Sequence, residues 1–201
     1  MTASDFSESA VAWILSGFIF LAFGPLYGCA MAGTPLVVNL NPGPRTEPKA
    51  AIESCTVQVD SVVDERLRKN NIGLVGPRVV STGDVMPWLQ QAFEPLTDSS
   101  AQTSSLISET SPRHLVILNA SLKKLYVQTL QSSISANVLV AVSYSVNNGP
   151  LVTRFYRGTE TSVNWTGSAD SVSDLLDDAL AGVIKDIMTD LASLCRAQKL
   201  S

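Results

Sequence analysis

"SISANVLVAVSYSV", residues 133–146, decides the fold. Ile134, Ala136, Val138, Val140, Val142, Tyr144 and Val146 recur at period two and share one face of an extended chain. The residues between them are mostly small or polar, as on a strand with one side in a core. "NNGP", 147–150, supplies a turn, with Gly149 expected at positive φ. "LVTRFYRGTETSVNW", 151–165, then returns as the second arm of a hairpin. Upstream, "RHLVILNASLKKLYVQ", 113–128, opens with a continuous apolar run suited to a central strand. "SCTVQVDSVVD", 54–64, alternates again, with Cys55, Val57 and Val59 on one side.

Two segments carry the helical period instead. In "DVMPWLQQAFEPL", 84–96, Val85, Trp88, Leu89, Ala92, Phe93 and Leu96 form one stripe. Asp84 is placed to cap this helix, Pro87 fits its first turn, and Pro95 marks its end. In "SVSDLLDDALAGVIKDIMTDLASLC", 171–195, a longer stripe runs from Val172 to Leu194, with Ser171 and Asp174 at capping-box spacing. A stripe of that length needs a sheet to cover. The expected fold is α+β: a largely antiparallel sheet, two amphipathic helices on one face, and the order β-α-β-β-β-α. The Ser/Thr-rich stretch 97–112 reads as an exposed loop.

Before the domain lies a charge-free apolar segment, "VAWILSGFIFLAFGPLYG", 11–28. Gly24 and Pro25 break it, and small Gly28 precedes Cys29. Leu26-Tyr27-Gly28-Cys29 resembles a bacterial lipobox, in which a Leu stands three residues before the acylated Cys. Tyr27 is bulkier than that motif prefers, and the leader carries Asp5 and Glu8 in place of Lys or Arg. An uncleaved anchor and a buried apolar segment are the competing readings. The division expected is a signal peptide over 1–28, a lipidated Cys29 with a Pro/Gly-rich tether over 29–50, and a single α+β domain over 51–201. Acylation would attach the chain to a lipid bilayer. Ala30 after Cys29, by resemblance to sorting in Gram-negative bacteria, implies the outer membrane, with the domain facing the periplasm.

From about Ala51 to Ala192 the order of features is similar to the YajG-type uncharacterised bacterial lipoproteins. The resemblance rests on a first strand running into Asp64-x-Arg66, Ile72-Gly73 shortly after, a short helix before a long strand pair, Tyr156-Arg157 in the last strand, and an acidic closing helix. It implies an envelope lipoprotein and brings no catalytic residues.

Function classes narrow further. The net charge is −4, and the densest basic run, "DERLRKNN" at 64–71, is short and mixed with acids. No nucleic-acid partner is expected; a solvated loop or strand end is the ordinary reading of the run. His114 is the single histidine, and no Gly-x-Ser-x-Gly turn presents a serine, so no enzyme is expected. One His and three scattered Cys lack ligand spacing, so neither a metal nor a cofactor is expected. Asp174, Asp177 and Asp178 fit the favourable N-terminal end of a helix. With Cys29 acylated, Cys55 and Cys195 either bridge or stay as buried thiols. Asp64 and Arg66 are candidates for a partner-binding edge or a local ion pair, and Trp165 is a candidate aromatic anchor or a core residue. The leading expectation is a non-enzymatic lipoprotein that binds an envelope component: an envelope protein or protein complex, a lipid or a cell-wall element. The alternatives are an accessory lipoprotein of an inner-membrane transport system and a cell-wall hydrolase.

Overall fold

The structure, a computed structural model, describes residues 33–40, 55–97, 114–163 and 167–198. In chain order these form β1 (Leu36–Val38), β2 (Cys55–Asp64), β3 (Asn71–Val75), β4 (Arg78–Thr82), α1 (Met86–Phe93) with a 3-10 turn behind it (Glu94–Leu96), β5 (His114–Leu130), β6 (Ser133–Val146), β7 (Val152–Val163) and α2 (Ala169–Gln198). Cys29, Trp165 and the Ser/Thr-rich loop lie outside the described residues.

The described strands form one seven-stranded sheet in the order β1-β4-β3-β5-β6-β7, with β2 also paired to β5. This corrects the expected element order. β3 and β4 were not anticipated, and β1 falls inside the stretch read as tether. The sheet is mixed rather than largely antiparallel. The β3–β4, β5–β6 and β6–β7 ladders are antiparallel, whereas β1–β4, β2–β5 and β3–β5 are parallel. The cause is the connection from β2 to β5. It contains a whole hairpin and α1, long enough to bring the chain back in the same direction. At the β6–β7 turn the left-handed conformation belongs to Asn147 and Asn148 (φ 50° and 59°). Gly149 instead donates its N–H to Val146 O at 2.8 Å. Two central residues at positive φ match the twist of a hairpin, and asparagine tolerates that region.

Burial follows the periodicities. Cross-strand register places Leu118 opposite Tyr144, Ala120 opposite Val142 and Leu122 opposite Val140, and all six are buried on one side of the sheet. β1 contributes Val38 to the same core, and Asn39 O accepts a hydrogen bond from Ser173 on α2. All six residues of the α1 stripe are buried, from Val85 to Leu96. The cap position of α1 is Val85, one residue after the expected Asp84. Asp84 still takes up an unpaired helix-start amide, Met86 N–H, at 2.9 Å. For α2 the capping residue is Ser168 rather than Ser171: its Oγ accepts the Ser171 N–H at 3.2 Å. The helices meet where Trp88 Nε1 on α1 donates to Asp177 Oδ1 on α2 at 2.5 Å. That bond gives the buried indole its partner.

Two features fix α2 on the sheet. Gly158 in β7 is approached so closely that a Cβ there would lie 1.8 Å from Ala179 O. Farther along, Asp190 Oδ2 accepts from Arg154 Nη1 at 2.7 Å and from Tyr156 Oη at 2.8 Å. Burial, then Asp190, drives the Tyr156 hydroxyl pKa well up, while the hydrogen bonds from Arg154 and Tyr156 hold the Asp190 carboxyl below its ordinary value. The end of α2 is joined to the start of β2 by a disulfide between Cys55 and Cys195, with Cα atoms 5.7 Å apart across 140 residues of sequence.

The contact at Gly158 predicts opposite outcomes for two glycines. Gly158→Ala must push α2 off β7 and should destabilise by about 1–3 kcal/mol. Gly182→Ala, where an added Cβ meets nothing within 4 Å in a helix interior, should stabilise by about 1 kcal/mol. Urea denaturation of the two variants checks both; equal effects would contradict the packing described.

Candidate functional site

Two concavities of the sheet concern the site, the first of them on the side away from the core. The first follows from register. Ser61, Asn119, Ser143 and Thr153 line up across β2, β5, β6 and β7, and Val63, Ser121, Ala141 and Phe155 form the next row. These rows floor a trough of about 430 Å³. Its surface mixes hydroxyls and an amide with Val63, Ala141 and the Glu65–Lys123 pair; Ser61 Oγ bonds Asn119 Oδ1, and Ser143 Oγ bonds Thr153 Oγ1. Phe155, 66% exposed, stands at its edge on the outermost strand. Below the trough, Asn137 Oδ1 accepts from Arg157 Nη2 at 2.9 Å and from Thr159 Oγ1 at 3.0 Å. Arg157 Nη2 also reaches Tyr126 Oη at 3.2 Å. That network holds a cation over the face and satisfies a buried amide.

The second concavity is a gap in the sheet. β5 has 17 residues, more than either neighbour on that flank can cover. β2 pairs with it as far as Asp64 opposite Leu122, and the Glu65 N–H makes one more bond to Leu122 O. β3 takes over at Gly73 opposite Val127. Between these points β5 is bulged at Lys123, and bulges re-aim side chains. The chain that leaves β2 and re-enters at β3 arches over the gap. The result is a notch of about 320 Å³, walled by Arg66, Leu67, Arg68 and Asn71 from the arch and by Lys123–Tyr126 from β5.

Asp64 and Arg66 are therefore brought together, facing each other. Arg66 Nε donates to Asp64 Oδ1 at 2.9 Å and Nη2 to Oδ2 at 3.0 Å, a two-pronged pair whose side chains are 3% and 8% exposed. The Arg66 backbone N–H adds a third bond to Oδ1. Burial pushes the Asp64 pKa up, but the Arg66 side-chain and backbone bonds and the charges of Arg66 and Lys69 outweigh it, so the carboxyl lies below its ordinary 3.8. Asp64 makes the local ion pair, and Arg66 also forms one wall of the notch. The neighbouring pair is exposed: Lys123 Nζ donates to Glu65 Oε2, and that bond and charge lower the Glu65 pKa.

The remaining candidates fall elsewhere. His114 Nδ1 contacts Asn147 Nδ2 at 2.8 Å, at the far end of β5 from the notch. No group of three or more metal-ligating side chains occurs among the described residues. Nor is any described helix long and apolar enough to cross a membrane. Sequence reasoning missed Asn137, and it noted Arg157 only as part of the last strand's pattern. The signal was a lone amide inside an apolar strand, with a hydroxyl opposite it and an arginine diagonal to it in the next strand.

No family model and no curated protein matches the chain. Solved structures do. Protein XCC0632 from Xanthomonas campestris, of the family DUF330, superposes with a TM-score of 0.53 at 12% identity, covering 82% of this chain and 99% of that one. A lipoprotein candidate from Caulobacter crescentus CB15 gives 0.33 at 17% identity over 45% of this chain and 74% of the other. Lipoprotein GNA1162 from Neisseria meningitidis gives 0.23 at 11% identity over 64% and 98%. The likeness is one of fold. It rests on the Xanthomonas protein, since the other two are too distant to carry an argument. The resemblance to YajG-type lipoproteins remains a reading of the residues.

The Asp64–Arg66 pair makes an acid-stability prediction. A carboxyl whose folded pKa is depressed contributes stability that is present above its unfolded pKa, about 4, and is lost as pH falls through the folded value. Asp64→Ala should cost about 3 kcal/mol near neutrality, because it leaves a buried guanidinium unpaired. The gap between wild type and variant should narrow as pH drops below about 4. Chemical denaturation across pH measures this; a gap constant with pH would contradict the pairing.

Proposed function

We propose that the chain is an acylated lipoprotein of a bacterial envelope, anchored by Cys29 at the outer membrane, with a non-catalytic periplasmic domain that binds an envelope component. The observation that carries this reading is the two-sided character of the sheet. One face is packed by the apolar core. The other, uncovered among the described residues, holds a polar trough with Phe155 exposed at its rim. An exposed aromatic beside well-ordered hydroxyl and amide groups is the make-up of a binding surface. The Cys55–Cys195 disulfide supports the compartment, since such bonds form and persist where conditions are oxidising. The lipobox-like Leu26-Tyr27-Gly28-Cys29 and the YajG-type order of features support the same reading.

Two measurements test it. The native protein should have lost its first 28 residues, carry acyl mass on Cys29, and fractionate with outer membranes; Cys29→Ser should block processing and attachment. A photo-crosslinking phenylalanine analogue placed at Phe155 should yield a discrete adduct in intact cells, while the same group at exposed Lys185 on α2 should not. Native protein that begins at Met1, lacks acyl mass and is free in the cytosol would overturn the proposal.

A further inference from the structure

We propose that the notch on the flank of β5 binds the phosphate of an anionic phospholipid headgroup, with Leu67 entering the adjoining acyl layer. For the source of the ligand this rests on the envelope reading above; the site itself rests on geometry. Its starting point is Arg66. The side chain is 3% exposed and walls the notch, and two of its nitrogens are committed to Asp64. The third, Nη1, is buried and has no hydrogen-bond partner among the described residues. A buried guanidinium nitrogen left unpaired is unfavourable, and a compact oxyanion is the acceptor that suits it.

The charges around it favour the same ligand. Asp64 is used up by Arg66 and Glu65 by Lys123. Arg68 and Lys124, both exposed walls of the notch, have no ion-pair partner among the described residues, and Lys69 lies beside them in the arch. An uncompensated positive cleft on a chain of net charge −4 is a local feature, not a reflection of composition. Asn71, another wall residue, carries a neutral amide whose Oδ1 already accepts the Gly73 N–H.

Leu67 distinguishes a lipid from a free phosphate. It is fully exposed, at 102% of its reference area, between Arg66 and Arg68. A free phosphate compound gives that side chain nothing to do. At a membrane interface, an apolar tip flanked by cations places hydrocarbon in the acyl region and charge at the headgroups. Too few cations are present for a nucleic-acid backbone.

The test uses the full chain carrying Cys29→Ser in non-ionic micelles. It is titrated separately with dihexanoyl phosphatidylglycerol, dihexanoyl phosphatidylcholine, inorganic phosphate and an oligoglutamate peptide. The readout is nitrogen–proton shifts of the Arg66 side chain and of the amides of 66–71 and 123–126. Phosphatidylglycerol should move these signals, with phosphatidylcholine about tenfold weaker. Arg68→Gln combined with Lys124→Gln should weaken phosphatidylglycerol about 30-fold, at roughly one surface cation's worth of attraction per lost charge. Leu67→Ser should weaken phosphatidylglycerol and leave inorganic phosphate unchanged. Unaltered binding by the double variant, or shifts located elsewhere, would overturn the site. Inorganic phosphate binding as tightly as the lipid, indifferent to Leu67→Ser, would replace the lipid by a free phosphate compound. Tighter binding of oligoglutamate would replace it by an acidic protein segment. Failure of the envelope reading would appear separately, as unacylated cytosolic protein in cells.

Discussion

The structure depends on a mismatch of lengths. β5 runs for 17 residues, and its flank is shared by β2 and β3, neither of which can cover it alone. A shared flank must have a seam. Asp64 and Arg66 finish that seam: β2 stops at the residue whose carboxylate folds back onto the guanidinium two positions later. The ion pair supplies polar partners where sheet pairing ceases. The arch, the bulge at Lys123 and the notch all follow from it. The arrangement resembles the general case in which a break in strand order opens a crevice at a sheet edge.

The other side of the sheet makes such a seam tolerable. α2 lies on β6 and β7 and reaches the beginning of β2 through Cys55–Cys195, so the disulfide ties the closing helix to β2. Closing a loop of 140 residues limits the unfolded chain, worth roughly 4–5 kcal/mol on the chain-entropy account. Gly158 lets α2 settle against β7 at backbone distance, and Asp190 then ties Arg154 and Tyr156 down. The open face is thereby held from behind. Its trough is pre-shaped rather than assembled on binding, which lowers the ordering cost of any complex.

Those elements whose apolar residues gather on one side were legible in the sequence. β6 begins at Ser133 and ends at Val146, the bounds its alternation implies, and the stripes of α1 and α2 are buried, with only Leu194 at the end of α2 partly so. Such patterns are local and strong. β3 and β4 were not legible because each has five residues, and the turn at Gly76-Pro77 leaves no run long enough to show a period. β1 has three, set among prolines. Strand direction escaped for a different reason: alternation says which side is buried and nothing about which strand is the neighbour. Cys55 pairs with His114 across a hairpin and a helix, and no local signal carries that. The notch was hidden for the same cause. "DERLRKNN" reads as water-exposed charge, yet Arg66 is buried because the strand it leaves is displaced from β5 by one that arrives later.

The central claim is that the Asp64–Arg66 pair holds the seam on β5. Amide hydrogen exchange of Asp64→Ala under folding conditions tests it most directly. Faster exchange should appear in 65–71, in β3 and in 123–127, while 133–163 and α2 keep their protection. Acceleration spread evenly over the whole domain, or none around the seam, would contradict the account.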